Sequence, residues 1–241
     1  VSNPLAQFVI TPLIPLPTVA GVDLSVTNSA VMMILAVIVA FAILHAFVNP
    51  SRLLPSVGQA CAEMYYKFVR NLVQDTAGIE ALRYLPLIFT LFTFVLLGNL
   101  LGMLPYAFTF TSHIVVTLAL ALLVFVTVTI IGLVRHGLHF FHLFFPEGAP
   151  LILAPVLVPI EIFSYFVRPM SLSVRLFANM LVGHILLKVV LGFVIALGAF
   201  GVLPFVFTLL LIGFEVFVAL IQAYIFALLT CIYLKDAIHL H

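Results

Sequence analysis

Charged side chains are scarce in this sequence. Only 7% of its 241 residues are Asp, Glu, Lys or Arg, against about 25% in ordinary soluble domains. Hydrophobic residues make up 65% and the mean hydropathy is +1.38, a balance that excludes a water-soluble fold and indicates a polytopic membrane protein. With a formal net charge of +1, no basic surplus points to nucleic acid, and the few charges count by position instead. Cysteine is equally sparse. Cys61 and Cys231 lie far apart without metal-ligand spacing, so both read as buried thiols and neither reports on redox compartment. There is no internal repeat and no low-complexity tract. Residues 1–25, with Asp23 and four prolines, do not read as a signal peptide but as an arm outside the membrane. Residues 26–241 read as one membrane domain.

Apolar runs set the organisation. Residues 29–48 form a first span, closed by Asn49-Pro50, of the length a bilayer core requires. Residues 52–80 then change character: Gln59, Glu63, Lys67, Arg70 and Gln74 recur at helical spacing, with Val57, Cys61, Met64, Phe68 and Leu72 on another side. That pattern predicts an amphipathic helix on the membrane surface, although a soluble helical hairpin would carry the same stripe. A second span covers 84–104, closed by Pro105, and a third covers 113–144, its uninterrupted apolar stretch ending before Arg135-His136. The loop from Pro105 to Ser112 has no Lys or Arg, whereas Asn49 to Arg83 holds Arg52, Lys67, Arg70 and Arg83. The positive-inside rule therefore puts the surface helix on the cytoplasmic or matrix side, the N-terminus outside and the C-terminus inside.

His136, His139 and His142, at i, i+3 and i+6, invite a metal or haem reading. They sit among Phe140, Phe141, Phe144 and Phe145, which favours amphipathic rings at an interface. No metal and no cofactor is expected.

Two longer runs follow, 150–197 and 202–236. A continuous helix over the first would reach about 70 Å, more than twice the roughly 30 Å of hydrocarbon, so it must break, Pro169 being the candidate, or lie steeply tilted. Gly198-Ala-Phe-Gly201 and Pro204 supply a turn between the two. The expectation is an all-α fold with about five membrane helices, the last two a long hairpin, plus one surface helix.

The charges inside these runs need explanation. A central arginine in a membrane helix costs about 2.5 to 3.5 kcal/mol on insertion scales, and Arg175 stays protonated at any working pH. At 100° per residue, Glu161, Arg168, Arg175 and Asn179 fall on one stripe, while His184 lies half a turn from Arg175 with Lys188 beside it at i+4. A structural pairing of Glu161 with Arg168 or Arg175 would account for part of this stripe. Glu215 has no cation within seven residues, so its partner is tertiary, and His184 is the candidate. A carboxylate and an imidazole together have interdependent protonation, which suits a proton relay. Gln222 shares a face with Glu215, and Asp236 falls within about 60° of it. Gln222 reads equally as a helix-to-helix hydrogen bond.

The pattern Ser171, Arg175-Leu176, Asn179, Gly183-His184 resembles the subunit a family, the proton-channel stators of rotary F-type ATP synthases. So do Asn99-Leu-Leu-Gly-Met-Leu-Pro-Tyr106, the stretch from Glu215 through Gln222-Ala-Tyr224 to Tyr233-Leu-Lys-Asp236, and the opening Pro4-Leu-Ala-Gln-Phe8. These ordered matches cover most of the chain, and His184 with Glu215 is the arrangement of the mitochondrial-type branch, many other bacterial members carrying the two groups exchanged. The resemblance implies that the last two helices form a tilted hairpin around a rotating c-ring, with Arg175 facing the ring's carboxylates as partner and barrier. It implies an outer proton pathway of His184, Glu215 and Asn99 and an inner one of Glu161, Arg168 and Asp236, supported by Asn179, Gln222 and Tyr224. The implied partners are the c-ring, peripheral-stalk b-type subunits and the lipid bilayer. The implied location is a bacterial inner or mitochondrial inner membrane. Two other classes compete: a secondary transporter, which usually shows paired repeats with broken helices, and a haem-binding subunit, for which the sequence offers His45 and His184 no obvious second haem ligand at matched depth.

Overall fold

The structure, a computed structural model, describes residues 9–14, 25–47, 56–104, 107–137, 140 and 154–238. Among these are six α-helices: α1 Asn28–Phe47, α2 Val57–Ala77, α3 Leu85–Gly102, α4 Ile114–His136, α5 Ala154–Leu197 and α6 Val202–Ile238. Before α1, the strands β1 Pro12–Ile14 and β2 Val26–Thr27 pair antiparallel. His139, His142, Arg52, Asn49-Pro50, Pro105-Tyr106 and most of the N-terminal arm lie outside the described residues. Five stretches are long and apolar enough to cross a membrane: Asn28–Phe47, Ile79–Gly102, Ile114–His136, Pro155–Leu197 and Val202–Ile238.

Helix α2 has three faces rather than two. Ser56 caps it by accepting from the Gln59 amide at 3.3 Å, and Gly78 ends it at φ 86, a left-handed conformation that glycine adopts without steric penalty. Val57, Met64 and Phe68, on the apolar side opposite the polar stripe, are exposed, and so is Cys61, contrary to the expectation of two buried thiols. Protein packing falls to Val69, Val73 and Ala77, a stripe about 100° round the helix, together with Leu72 at its edge. An exposed apolar side, a packed side and a polar side are what a helix needs when it rests on neighbouring helices and also borders lipid. Tyr65 anchors it: its hydroxyl lies 2.8 Å from that of Thr93 in α3, and burial raises the pKa of the phenol.

Helix α6 is the spine. It packs against α2, α3, α4 and α5, and α5 packs in turn on α4. The core has Leu72, Val73, Ile88, Phe92, Val95, Leu172, Leu176, Phe226 and Leu234 at its centre. The long run of α5 does not break at Pro169. It continues as a helix of 44 residues with Pro159 and Pro169 inside, about 66 Å of rise. A helix of that length cannot stand along the normal of a ~30 Å apolar layer, so it crosses obliquely. Buried side chains follow one stripe along it, Tyr165, Pro169, Leu172, Ser173, Leu176, Met180 and His184. The turn to α6 is the single 3-10 segment Gly198–Gly201. A Cβ at Gly201 would stand 2.5 Å from the Val194 carbonyl oxygen, so a larger residue would push the two helices apart.

Candidate functional site

Two polar clusters lie at different levels of the α5–α6 hairpin, with Arg175 between them. The first is the pair His184 and Glu215, 31 residues apart in sequence and face to face across the hairpin, with Nδ1 of the ring bonded to Oε1 of the carboxylate. Both are buried, at 8% and 6% exposure. Gly183 permits the approach, since a Cβ there would sit 3.0 Å from the same Glu215 oxygen. The other ring nitrogen faces the end of α3: His184 Nε2 is 2.7 Å from Thr109 Oγ1 and 3.1 Å from the Gly102 carbonyl. Thr109 in turn donates to that carbonyl at 2.9 Å.

This set accommodates either form of the imidazole. In the neutral ring with its proton on Nδ1, the Thr109 hydroxyl can donate to the Nε2 lone pair. In the imidazolium, Nε2–H donates to the Gly102 carbonyl while Thr109 turns its proton to the same acceptor. A proton can thus arrive at or leave Nε2 without stranding a buried donor or acceptor. Thr109 and Gly102 were not distinguished by the sequence reading, although Gly102 stands inside the Asn99-Leu-Leu-Gly motif.

Asn99, fully buried, donates from Nδ2 to the Ala219 carbonyl at 3.4 Å, one turn of α6 from Glu215. Its Oδ1 has no partner among the described residues. Gln222 accepts from Asn179 Nδ2 at 2.8 Å, a bond between α5 and α6, and its own Nε2 is unpartnered among the described residues. Of the two readings of Gln222, the helix-to-helix hydrogen bond is the one observed. Tyr224 is not brought to this cluster; its ring turns toward Phe68 of α2, with 6.0 Å between centroids.

The second cluster is built on Arg168 and Asp236, whose Nη1 and Oδ2 are 2.8 Å apart. The Arg168 guanidinium also lies 5.7 Å from the Tyr165 ring centroid and 5.5 Å from that of Tyr233, distances suited to cation–π attraction. Tyr165 is tied to α4 through the Thr129 hydroxyl at 2.7 Å. Arg168 thus meets a carboxylate from α6 and not Glu161 of its own helix. Glu161 is half-buried and makes no ion pair among the described residues.

Arg175 stands seven residues from Arg168 and nine from His184, about 10 and 14 Å along the axis. It is exposed, and among the described residues no carboxylate lies within ion-pair distance of it. Between the clusters, the interior is closed by Leu172, Leu176 and Met180 of α5 with Ala223, Phe226 and Ala227 of α6, all buried. His136, the one described member of the histidine trio, donates from Nε2 to the Ile238 carbonyl at 3.1 Å.

Comparison with known proteins shows the family to which the chain belongs. The family described as ATP synthase A chain matches residues 29–235. The chain is 56% identical over 240 residues to the ATP synthase subunit a of Rhodospirillum rubrum, covering 99% of each. It is 52% identical over 247 residues to that of Paramagnetospirillum magneticum, covering 100% of each. Against that of a Chelativorans species it is 51% identical over 245 residues, covering 99% of this chain and 98% of the relative. Five helices long and apolar enough to cross a membrane, a family match over residues 29–235 and relatives 51–56% identical over essentially the whole chain show that it is a multi-pass membrane protein of the ATP synthase A chain family, the subunit a of F-type ATP synthases.

Proposed function

We propose that this chain is the stationary wall of a proton-driven rotary motor, offering two offset half-channels to a ring of carboxylate-bearing c subunits. The observation that carries the proposal is Arg175, an exposed guanidinium with no carboxylate beside it among the described residues, placed between two polar clusters that an apolar wall separates. The cost of a permanent cation on an apolar face is offset by water or by an anion, and with no carboxylate beside it among the described residues the anion comes from another chain. A rotor carboxylate is that anion. On this reading a proton from the outer side passes His184 and Glu215, with Asn99, Gln222 and Asn179 lining the route, and neutralises the rotor acid. Neutralisation is what lets that acid travel through hydrocarbon. On return, Arg175 draws off the proton by stabilising the carboxylate, and the proton leaves past the level of Glu161, Arg168 and Asp236. Each charge crossing contributes about 2.3 kcal/mol per 100 mV, so several are needed for each ATP made elsewhere in the complex.

The same reading places the protein in a bacterial or mitochondrial inner membrane, with its N-terminus outside, its C-terminus inside and b-type subunits of a peripheral stalk beside it. Purification of the tagged chain from its native membrane, followed by reconstitution and ATP-driven acidification of the vesicles, tests the proposal. A c-ring that copurifies and pumping that vanishes in Arg175→Ala are expected. A chain that purifies without a ring and carries a solute across vesicles would be a transporter.

A further inference from the structure

The segment joining α3 to α4 is unusually polar for its depth. Thr109, Thr111 and Ser112 are almost wholly buried, as is Thr117 one turn into α4. Three of them are satisfied: Thr109 as described above, Ser112 by donating to the Thr109 carbonyl at 2.6 Å, and Thr117 by the His113 and Ile114 carbonyls and the Ser173 hydroxyl. Two atoms are not. The Thr111 hydroxyl, on a residue of 0% exposure, and His113 Nε2 are both buried without a partner among the described residues. An unpartnered buried polar group costs about 1 to 3 kcal/mol, and apolar residues would have filled these positions without that penalty. The His113 ring is held by stacking on Phe108, with centroids 5.0 Å apart and planes inclined by 18°. Phe108 directly precedes Thr109, the residue that reaches His184.

We propose that Thr111 and His113 form the outermost stations of the proton route to His184, holding water between the α3–α4 segment and the buried pair. The inference rests on the outer-pathway reading above and extends it to residues on another element. A proton taken up on one nitrogen of the His113 ring leaves from the other to a water molecule. The Thr111 hydroxyl orients that water by donating one hydrogen bond and accepting another. The water passes a proton to His184 Nε2, beside Thr109, and His113, left neutral with its proton on the opposite nitrogen, regains its first tautomer when one water gives a proton to one ring nitrogen as another takes a proton from the other. The two unpartnered atoms are then the resting face of a site that is satisfied whenever water enters.

Thr111→Val and His113→Gln, each in the complete reconstituted complex, test this, with Glu215→Gln as the reference for the pathway itself. Valine has the shape of threonine without the hydroxyl, so removing an unpartnered group leaves assembly unchanged or improves it. The proposal expects assembly at the normal level and ATP-driven pumping slowed by about tenfold in each variant. If Glu215→Gln stops pumping while both other variants pump at the normal rate, the inference is wrong and the outer pathway stands. If Glu215→Gln pumps normally, the pathway reading itself has failed. Should His113→Gln not assemble, Thr111→Cys in a Cys61→Ser and Cys231→Ala background gives a second measure. Modification from the outer side by a small impermeant thiol reagent, with loss of pumping, supports the proposal; an inert thiol overturns it.

Discussion

Arg175 and Leu176 are adjacent in sequence and opposite in fate: the leucine is fully buried in the core, and the guanidinium is exposed on the flank of the same turn. The leucine fixes the rotation of α5 about its axis, and that rotation presents the cation outward.

The first prediction concerns that cation. Arg175→Lys keeps the charge but supplies a compact ammonium that can lose its proton when desolvated. The complex is expected to assemble and to lose both synthesis and ATP-driven pumping. Arg175→Ala should also leak protons passively under an imposed gradient. A structural role predicts otherwise, because Arg175→Ala combined with Glu161→Ala would then restore pumping. Vesicle assays of pumping and passive conductance separate the two cases.

For the buried pair, Glu215→Gln removes the titrating oxygen and is expected to slow proton flux by about a hundredfold. Exchanging the groups, His184→Glu with Glu215→His, should recover more flux than either change alone. If the two losses simply add in the double variant, the residues are acting independently.

Gly183→Ala offers a gentler probe. The added methyl would stand 3.0 Å from Glu215 Oε1, so the carboxylate must retreat from the imidazole. Flux is expected to drop by roughly tenfold to a hundredfold from displacement alone, with normal assembly on a native gel. Undiminished pumping would mean that the close approach of these groups is not needed.

The clasp at the other level should behave as a stability element. Asp236→Asn leaves Arg168 with its tyrosines but without a counterion, and the cost is expected to be about 1 to 2 kcal/mol for a partly exposed pair. Arg168→Gln together with Asp236→Asn should be less destabilised than the sum of the single changes. Thermal melts of the purified complex in detergent read this out.

Topology can be checked on α2. A cysteine replacing Lys67, in a chain freed of Cys61 and Cys231, should react with an impermeant reagent only from the cytoplasmic or matrix side. Labelling from the outer side would invert the orientation of every helix.

Much of this was legible from periodicity. The apolar runs showed where helices lie, and steps of seven residues put Glu215 and Gln222 on a common face, where both are buried. The sequence argument could also select His184 as partner for Glu215, because few cations were available. It failed where partners are distant and local pattern says nothing. Arg168 answers Asp236, 68 residues on, and the ion pair of Arg135 with Glu80 joins α4 to the 3-10 turn before α3, though neither pair has any local signature. The exposed Cys61 was misjudged because an apolar stripe on a membrane-surface helix can face lipid as readily as protein. Thr109 was invisible for another reason, since a non-helical segment has no period to read.

The unbroken course of α5 makes it a ruler. Arg168, Arg175 and His184 are graduations on one helix, so their separations are fixed by residue count, and no loop between them can absorb a change of length. One residue inserted between Arg175 and His184 would advance the far mark by about 1.5 Å and swing it through about 100°, carrying the imidazole off Glu215 altogether. A substitution along this stretch alters one side chain and leaves the spacing of the marks intact, whereas an insertion or deletion displaces every mark beyond it.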